Sequence, residues 1–229
     1  MTETSASPAE RLAALEARVA AAMARAGRAD ASGARDVSVI AISKTKPVEM
    51  IEPFLHLGHR QFGENRVQEA GEKWPALKQA FDGVELHLVG PLQTNKVNQA
   101  VGLFDVIQTL DRPKLAAALA KARARVGALP ALYIQVNTGE EPQKAGIAPS
   151  ALEDFAKQCR DTYQLEIAGL MCIPPADQPP APHFALLGKL AAQIGVAHLS
   201  MGMSGDFETA IGQGASHIRV GTSLFGARA

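Results

Sequence analysis

Val37-Ser38-Val39-Ile40-Ala41-Ile42-Ser43-Lys44-Thr45-Lys46-Pro47 is an apolar run closed by a polar turn. Its first six residues read as a strand buried on both faces. Pro47 restricts Lys46 to extended backbone and can open a helix. The unit is therefore strand, loop, helix. The same alternation recurs, with strands near residues 59–63, 85–89, 104–109, 132–137, 165–171, 198–201 and 217–220 and helical patterns filling most of the gaps, which makes eight strands. Eight strands alternating with helices over 229 residues predict a single closed (β/α)8 TIM barrel, because an open doubly wound sheet of this kind usually needs fewer strands. A doubly wound sheet often carries a glycine fingerprint after its first strand, where this chain has Ser43-Lys44-Thr45-Lys46-Pro47.

One helix precedes the first strand. Ser7-Pro8-Ala9-Glu10 is a capping box with proline at the first helical position; Leu12, Leu15, Val19 and Met23 form one stripe, and Gly27 is a stop. The expectation is one domain over 1–229, with residues 1–30 as a tail and helix packed on the barrel. The proline-rich stretch 174–182 falls between the sixth strand and its helix and reads as a long loop rather than a linker.

Composition narrows the function. Lys and Arg total 23 against 23 Asp and Glu, so charge gives no support for a nucleic-acid or acidic-membrane partner. Cys159 and Cys172 are too few for a disulfide framework and resemble no metal site, which suits a reducing cytoplasm. The N-terminal region carries Glu3 and Glu10 without an apolar signal core, and no run of 18 apolar residues occurs, so neither a signal peptide nor a membrane span is expected.

In a parallel barrel the site is built at the C-terminal ends of the strands. This sequence puts its reactive groups there: Lys44 and Lys46, Glu64-Asn65, Gly90-Pro91, Asn137-Thr138, Gly202-Met203-Ser204-Gly205 and Arg219-Val220-Gly221-Thr222. Ser204 can cap the helix that follows, and Gly221-Thr222 supplies a second small, hydroxyl-bearing turn. Loops after strands seven and eight are the usual phosphate site of this fold, so the two turns predict a phosphate-bearing ligand unless the glycines merely fit tight loops. Lys44 is a phosphate-binding cation, a Schiff-base nucleophile or an ordinary solvent-reaching lysine, and strand period puts Lys46 on its side. Arg219 either faces a ligand or pairs with a carboxylate such as Glu64. His87 and His198 read as packed core residues, Cys172 as a buried small hydrophobe, and Lys144 as a loop charge or a ligand gate.

Several blocks together resemble the pyridoxal phosphate homeostasis protein family. They are Ala41-Ile42-Ser43-Lys44-Thr45-Lys46-Pro47, Phe62-Gly63-Glu64-Asn65 with Val67-Gln68-Glu69, and His87-Leu88-Val89-Gly90-Pro91-Leu92-Gln93 with Asn95-Lys96. Leu199-Ser200-Met201-Gly202-Met203-Ser204 and Ile218-Arg219-Val220-Gly221-Thr222, ending in Phe225-Gly226-Ala227-Arg228, follow in the same order. The resemblance implies a barrel like the N-terminal domain of alanine racemase, with pyridoxal 5'-phosphate (PLP) held as an internal aldimine on Lys44. It also implies Ser204, Gly221 and Thr222 holding the phosphate, Arg219 facing the pyridine nitrogen, Asn65 beside the ring and Met203 as a further cofactor-binding residue, with Lys46 and Lys144 as secondary lysines in cofactor handling. Two positions depart from the pattern: Arg66 stands where many members have tyrosine, and Gly205 where aspartate often follows the serine.

Binding without turnover is the expectation. A cation beside the pyridine nitrogen opposes its protonation and weakens the electron sink. A racemase also needs a second acid/base, in alanine racemase a tyrosine from another domain, whereas Tyr133 and Tyr163 fall away from the expected mouth. The expected protein is a cytoplasmic, monomeric carrier that serves PLP-dependent apo-enzymes and has no catalytic or metal-binding residues. The alternatives are a weak alanine-racemase-like enzyme and a phosphate-binding barrel enzyme using Lys44 only as a cation.

Overall fold

A computed structural model of the chain describes residues 6–28 and 37–226. The capping box forms as expected: Ser7 Oγ accepts from the Glu10 N–H, and the Glu10 carboxylate accepts from the Ser7 N–H at 2.7 Å. It opens α1 (Pro8–Arg25), whose Leu12, Leu15, Val19, Ala22 and Met23 are buried. Gly27 follows with φ +66°, the left-handed conformation that ends helices.

Eight parallel strands then close on themselves in chain order. They are β1 (Ser38–Ile42), β2 (Gln61–Glu64), β3 (Glu85–Leu88), β4 (Val106–Leu110), β5 (Ala131–Val136), β6 (Ile167–Cys172), β7 (His198–Ser200) and β8 (His217–Val220). Closure comes from β1 against β8, with Ser38 opposite His217 and Ala41 opposite Val220. The connecting helices are α2 (Val48–His56), α3 (Val67–Ala80), α4 (Val97–Val101), α5 (Pro113–Val126), α6 (Leu152–Asp161) and α7 (Pro180–Ile194), followed by the short α8 (Phe207–Gly212) and α9 (Thr222–Phe225). The helix α1 packs on α2, α8 and α9, with the Arg18 guanidinium 4.6 Å above the Phe207 ring and 2.6 Å from Glu208.

The main apolar core lies between strands and helices, where Trp74, Phe54, Phe62, Phe184 and Phe207 are fully buried. Inside the barrel the filling is more polar, with His87, Gln108, Ser200 and Arg219 all buried. The proline-rich stretch divides differently from the sequence reading: α7 begins at Pro180, so only its first part is loop. Proline in a first turn gives up no helical hydrogen bond, which lets the helix start inside the run.

Candidate functional site

β1 ends at Ile42, and the next residues make a tight turn in which the Lys46 N–H donates to Ser43 O at 3.1 Å. Thr45 sits at its apex with φ +60°, a left-handed conformation that is costly for a β-branched residue. Its N–H is held by the Glu69 carboxylate. Lys44 and Lys46 therefore share a side because the turn folds them there, and strand alternation plays no part. Both are half-buried. With Ile42, Thr45, Gly221, Thr222 and Gly226 they line a cavity of about 80 Å³ at the C-terminal mouth.

A buried ion pair anchors this turn. Lys73 of α3 lies 2.8 Å from Glu64 Oε1 and 2.8 Å from Glu69 Oε1, and its ammonium also donates to Ser43 O and Lys46 O. Glu64 is fully buried and accepts further from Ser43 Oγ at 2.8 Å and Trp74 Nε1 at 3.1 Å. Burial alone would raise the Glu69 carboxyl, but hydrogen bonds from Lys73 and the Thr45 N–H outweigh it and hold the group below its ordinary value. The sequence offered Glu64 as a partner for Arg219; the structure gives Glu64 to Lys73 instead. Lys73 did not stand out in the sequence and Glu69 stood there only within the Val67-Gln68-Glu69 block, without a role, because an i, i+4 pair on a helix reads as an ordinary surface pair.

Arg219 is 4% exposed, with Nη1 donating to Ser200 Oγ and Nη2 to Cys172 O, both at 2.8 Å. Ser204 does not cap a helix. The turn 203–206 closes first: the Met203 N–H donates to Asp206 Oδ1 at 2.6 Å, and α8 starts only at Phe207. Ser204 is half-buried and Met203 exposed on that turn, and neither lines the lysine cavity. Asn65 opens instead on a neighbouring cavity of about 470 Å³ with Arg66, Gln68, Pro91, Gln93 and Lys96. Lys144 does not line the lysine cavity: its amine lies 2.6 Å from Glu141 and donates to Pro174 O, tying together two loops.

Two glycines are explained by packing. A Cβ on Gly90 would stand 2.2 Å from Asn65 O, and one on Gly202, where φ is +89°, would stand 2.5 Å from the Ala210 Cβ. Gly221 differs. Its φ is −115° and a Cβ would meet nothing nearer than 3.4 Å, so neither strain nor crowding demands glycine where it lines the lysine cavity. A missing side chain there keeps the cavity open to a ligand.

His87 is buried as expected, whereas His198 is exposed at the start of β7 and is not a core residue. Tyr133 stacks on His198 at 6.0 Å and meets His217 edge-on at 5.7 Å, at the opposite, N-terminal mouth. Tyr163 lies just after α6, ahead of β6. Neither tyrosine faces the two lysines. Cys172 is fully buried, and its thiol is pushed up to about 12 by burial. Among the described residues no three His, Cys, Asp or Glu side chains group as a metal site, and no helix is long and apolar enough to cross a membrane.

The model of the alanine racemase N-terminal domain family matches residues 11–229. A relative in Aquifex aeolicus, a "pyridoxal phosphate homeostasis protein", is 38% identical over 96% of this chain and 97% of its own. One of the same name in Pseudomonas aeruginosa is 40% identical over 96% and 95%. The chain belongs to the pyridoxal phosphate homeostasis protein family. Among solved structures, PipY of Synechococcus elongatus PCC7942 without PLP superposes with a TM-score of 0.84 at 36% identity, covering 96% of this chain and all of that one. PipY has also been solved with PLP bound, and that structure superposes with a TM-score of 0.81. An alanine racemase of Clostridium difficile 630 shares the fold at 12% identity and a TM-score of 0.68, over 93% of this chain and 57% of the racemase.

The donor set fits the PLP of which the family name speaks. Two half-buried amines, two threonine hydroxyls and an open glycine surround one cavity, no carboxylate of the described residues lines it, and a buried guanidinium lies on the adjacent strand. Phosphate and aldehyde both call for nitrogen and hydroxyl donors, and a free amine is the group that reacts with an aldehyde.

Proposed function

We propose that this protein binds PLP through Lys44 at the C-terminal mouth and serves intracellular PLP homeostasis by storing or delivering the cofactor and limiting free aldehyde. The observation that carries this reading is the grouping of Lys44, Lys46, Gly221 and Thr222 around one cavity, in a member of a family named for this function. PLP supplies an aldehyde that condenses with an amine, losing water, and a phosphate that anchors it. In this reading Lys44 Nζ makes the covalent bond, while Lys46 and Thr222 bind the phosphate with the open backbone at Gly221. Met203 and Ser204 approach the phosphate from the next turn, Asn65 lies beside the ring, and Arg219 faces the pyridine nitrogen. Lys144 hands the cofactor on.

The carrier role without turnover rests on two features. Arg219 stands where an electron-sink enzyme commonly uses a carboxylate, so the pyridine nitrogen stays unprotonated. Both tyrosines lie elsewhere, so no phenolic acid/base opposes Lys44. The protein acts as a cytoplasmic monomer whose partners are PLP and PLP-dependent apo-enzymes. The test compares amino-acid turnover by the loaded protein with that of free PLP at equal concentration, beside PLP affinity in wild type and Lys44→Ala. Equal turnover with at least a tenfold affinity loss in the variant is expected. Racemisation above the free-PLP rate contradicts the carrier role, and unchanged affinity in Lys44→Ala contradicts the site.

A further inference from the structure

A chain of polar contacts crosses the barrel interior from Arg219 to the opposite mouth. Arg219 Nη1 donates to Ser200 Oγ at 2.8 Å, Ser200 Oγ donates to Gln108 Oε1 at 2.6 Å, and Gln108 Nε2 meets His87 Nδ1 at 3.0 Å. His87 Nε2 then lies 2.7 Å from Glu85 Oε1, in a bent contact rather than a well-aimed hydrogen bond. Ser200, Gln108 and His87 are fully buried, while the Glu85 side chain is 41% exposed at the N-terminal end of β3.

The direction of the chain is forced by its first member. A guanidinium has no acceptor, so Ser200 must accept from Arg219, which leaves its one proton for Gln108 Oε1. That orients the Gln108 NH₂ toward His87, so Nδ1 carries no proton and the ring hydrogen sits on Nε2, toward Glu85. Gln108 lies where the pairing of β4 with β5 slips, between Ile107 and Leu110, and such irregularities re-aim side chains. Barrel interiors are usually filled by branched apolar residues, and a buried polar network is costly unless its members are satisfied. Here four strands contribute to one continuous network.

We propose that Ser200, Gln108 and His87 are positioning residues that fix the Arg219 guanidinium and pass to it the charge state of the N-terminal mouth. The proposal rests on the reading in which Arg219 faces the cofactor ring. The titratable and charged groups around His87 are Glu85 on β3, Tyr133 on β5, His198 on β7, and His217 and Arg219 on β8. A second proton on His87 would put Nδ1–H against the Gln108 NH₂, donor against donor. The amide must then turn over, and Ser200 must accept from Gln108 as well as from Arg219, losing the acceptor of its own proton. Protonation at one mouth thereby loosens the guanidinium at the other. His217, 5.4 Å from His198 and 6.0 Å from His87 between ring centres, is held down to about 4 by burial and by both neighbours. It therefore adds no charge near neutral pH.

The test uses the full chain loaded with ¹⁵N-labelled PLP, after borohydride trapping has located the cofactor. The ring ¹⁵N resonance and the pH dependence of the cofactor's absorption are compared in wild type, Gln108→Met, Ser200→Ala, Glu85→Gln and Thr109→Val. Thr109 is the control: it is buried beside Gln108 but bonds Gly90 O instead. Gln108→Met and Ser200→Ala are expected to move the ¹⁵N resonance, and Gln108→Met to abolish a pH step present in wild type. Glu85→Gln, which leaves the core intact should the buried variants not fold, is expected to move that step to lower pH, because it removes the carboxylate 2.7 Å from His87. Thr109→Val changes neither. Wild-type spectra in all the folded relay variants overturn the relay alone, as does a Thr109→Val shift equal to theirs. Absence of trapped cofactor on wild-type Lys44 overturns both the relay and the binding reading.

Discussion

Lys73→Met removes the ammonium that holds Glu64, Glu69 and two carbonyls of the lysine-bearing turn. Breaking a buried ion pair by deleting one partner costs about 3–5 kcal/mol, because the remaining charge is left uncompensated. Glu64 is 0% exposed and its Oε2 already lacks a partner, but Ser43 and Trp74 still donate to Oε1, and Glu69 reaches solvent. The expected loss is therefore at the lower end, about 3 kcal/mol. For a chain of this size that lowers Tm by about 6–12 °C, at roughly 2–4 °C per kcal/mol. Urea unfolding at pH 7 measures the free energy, and calorimetry the midpoint. In the double variant Glu64→Gln/Lys73→Met the stranded charge is gone, so more than half of the loss should return. A single-variant loss below about 1 kcal/mol, or a double variant as unstable as the sum of the singles, refutes the claim that this pair anchors the turn.

Other outcomes follow from the same geometry. His217 is neutral in the fold down to about 4, while its unfolded value is about 6.5. The unfolded chain thus binds the extra proton between those values, and stability should fall as pH drops through that window. His217→Asn should flatten this fall in a series of Tm measurements between pH 7 and pH 4; an unchanged slope contradicts the assignment. Thr45→Gly relieves a left-handed β-branched residue at about 1–2 kcal/mol, offset by about 0.5–1 kcal/mol of glycine entropy. Tm should rise by a few degrees, and a fall would mean that the threonine side chain itself holds the turn. Cys159 and Cys172 are buried, and burial pushes their thiols up to about 11 and about 12. Neither should react with a thiol reagent at pH 8 until denaturant is added; rapid labelling of the native protein would count against their burial.

The barrel was legible because strand and helix patterns alternate along the chain, from the apolar run of β1 onward, a signal that survives without tertiary information. Strand ends were less so: the fourth strand, expected at 104–109, runs from Val106 to Leu110, since pairing and a register slip decide where it stops. Lys44 and Lys46 were legible as a motif, but their shared cavity depends on a turn with Thr45 in a conformation that propensity does not favour. The expected Ser204 cap gave way to an Asp206 contact three residues from Met203, a competition that local spacing leaves open. For Arg219 the sequence left open a ligand-facing role and a pairing with a carboxylate such as Glu64, and the structure gives that carboxylate another partner. Charge type does not say which of several carboxylates a cation reaches, and α3 delivers Lys73 to Glu64 first. His87 and Arg219 stood out separately in the sequence, but their connection through Gln108 and Ser200 did not, because β3, β4, β7 and β8 each contribute one or two polar residues and only barrel closure brings them into line.

The central claim is that Lys44 is the residue that carries PLP. Borohydride reduction of the PLP-loaded protein, followed by peptide mass spectrometry, tests it most directly. A phosphopyridoxyl adduct on Lys44 in wild type, absent from that position in Lys44→Ala, is the predicted result. PLP-loaded wild type with no adduct on Lys44, or with its adduct confined to Lys46 or Lys144, would contradict the account.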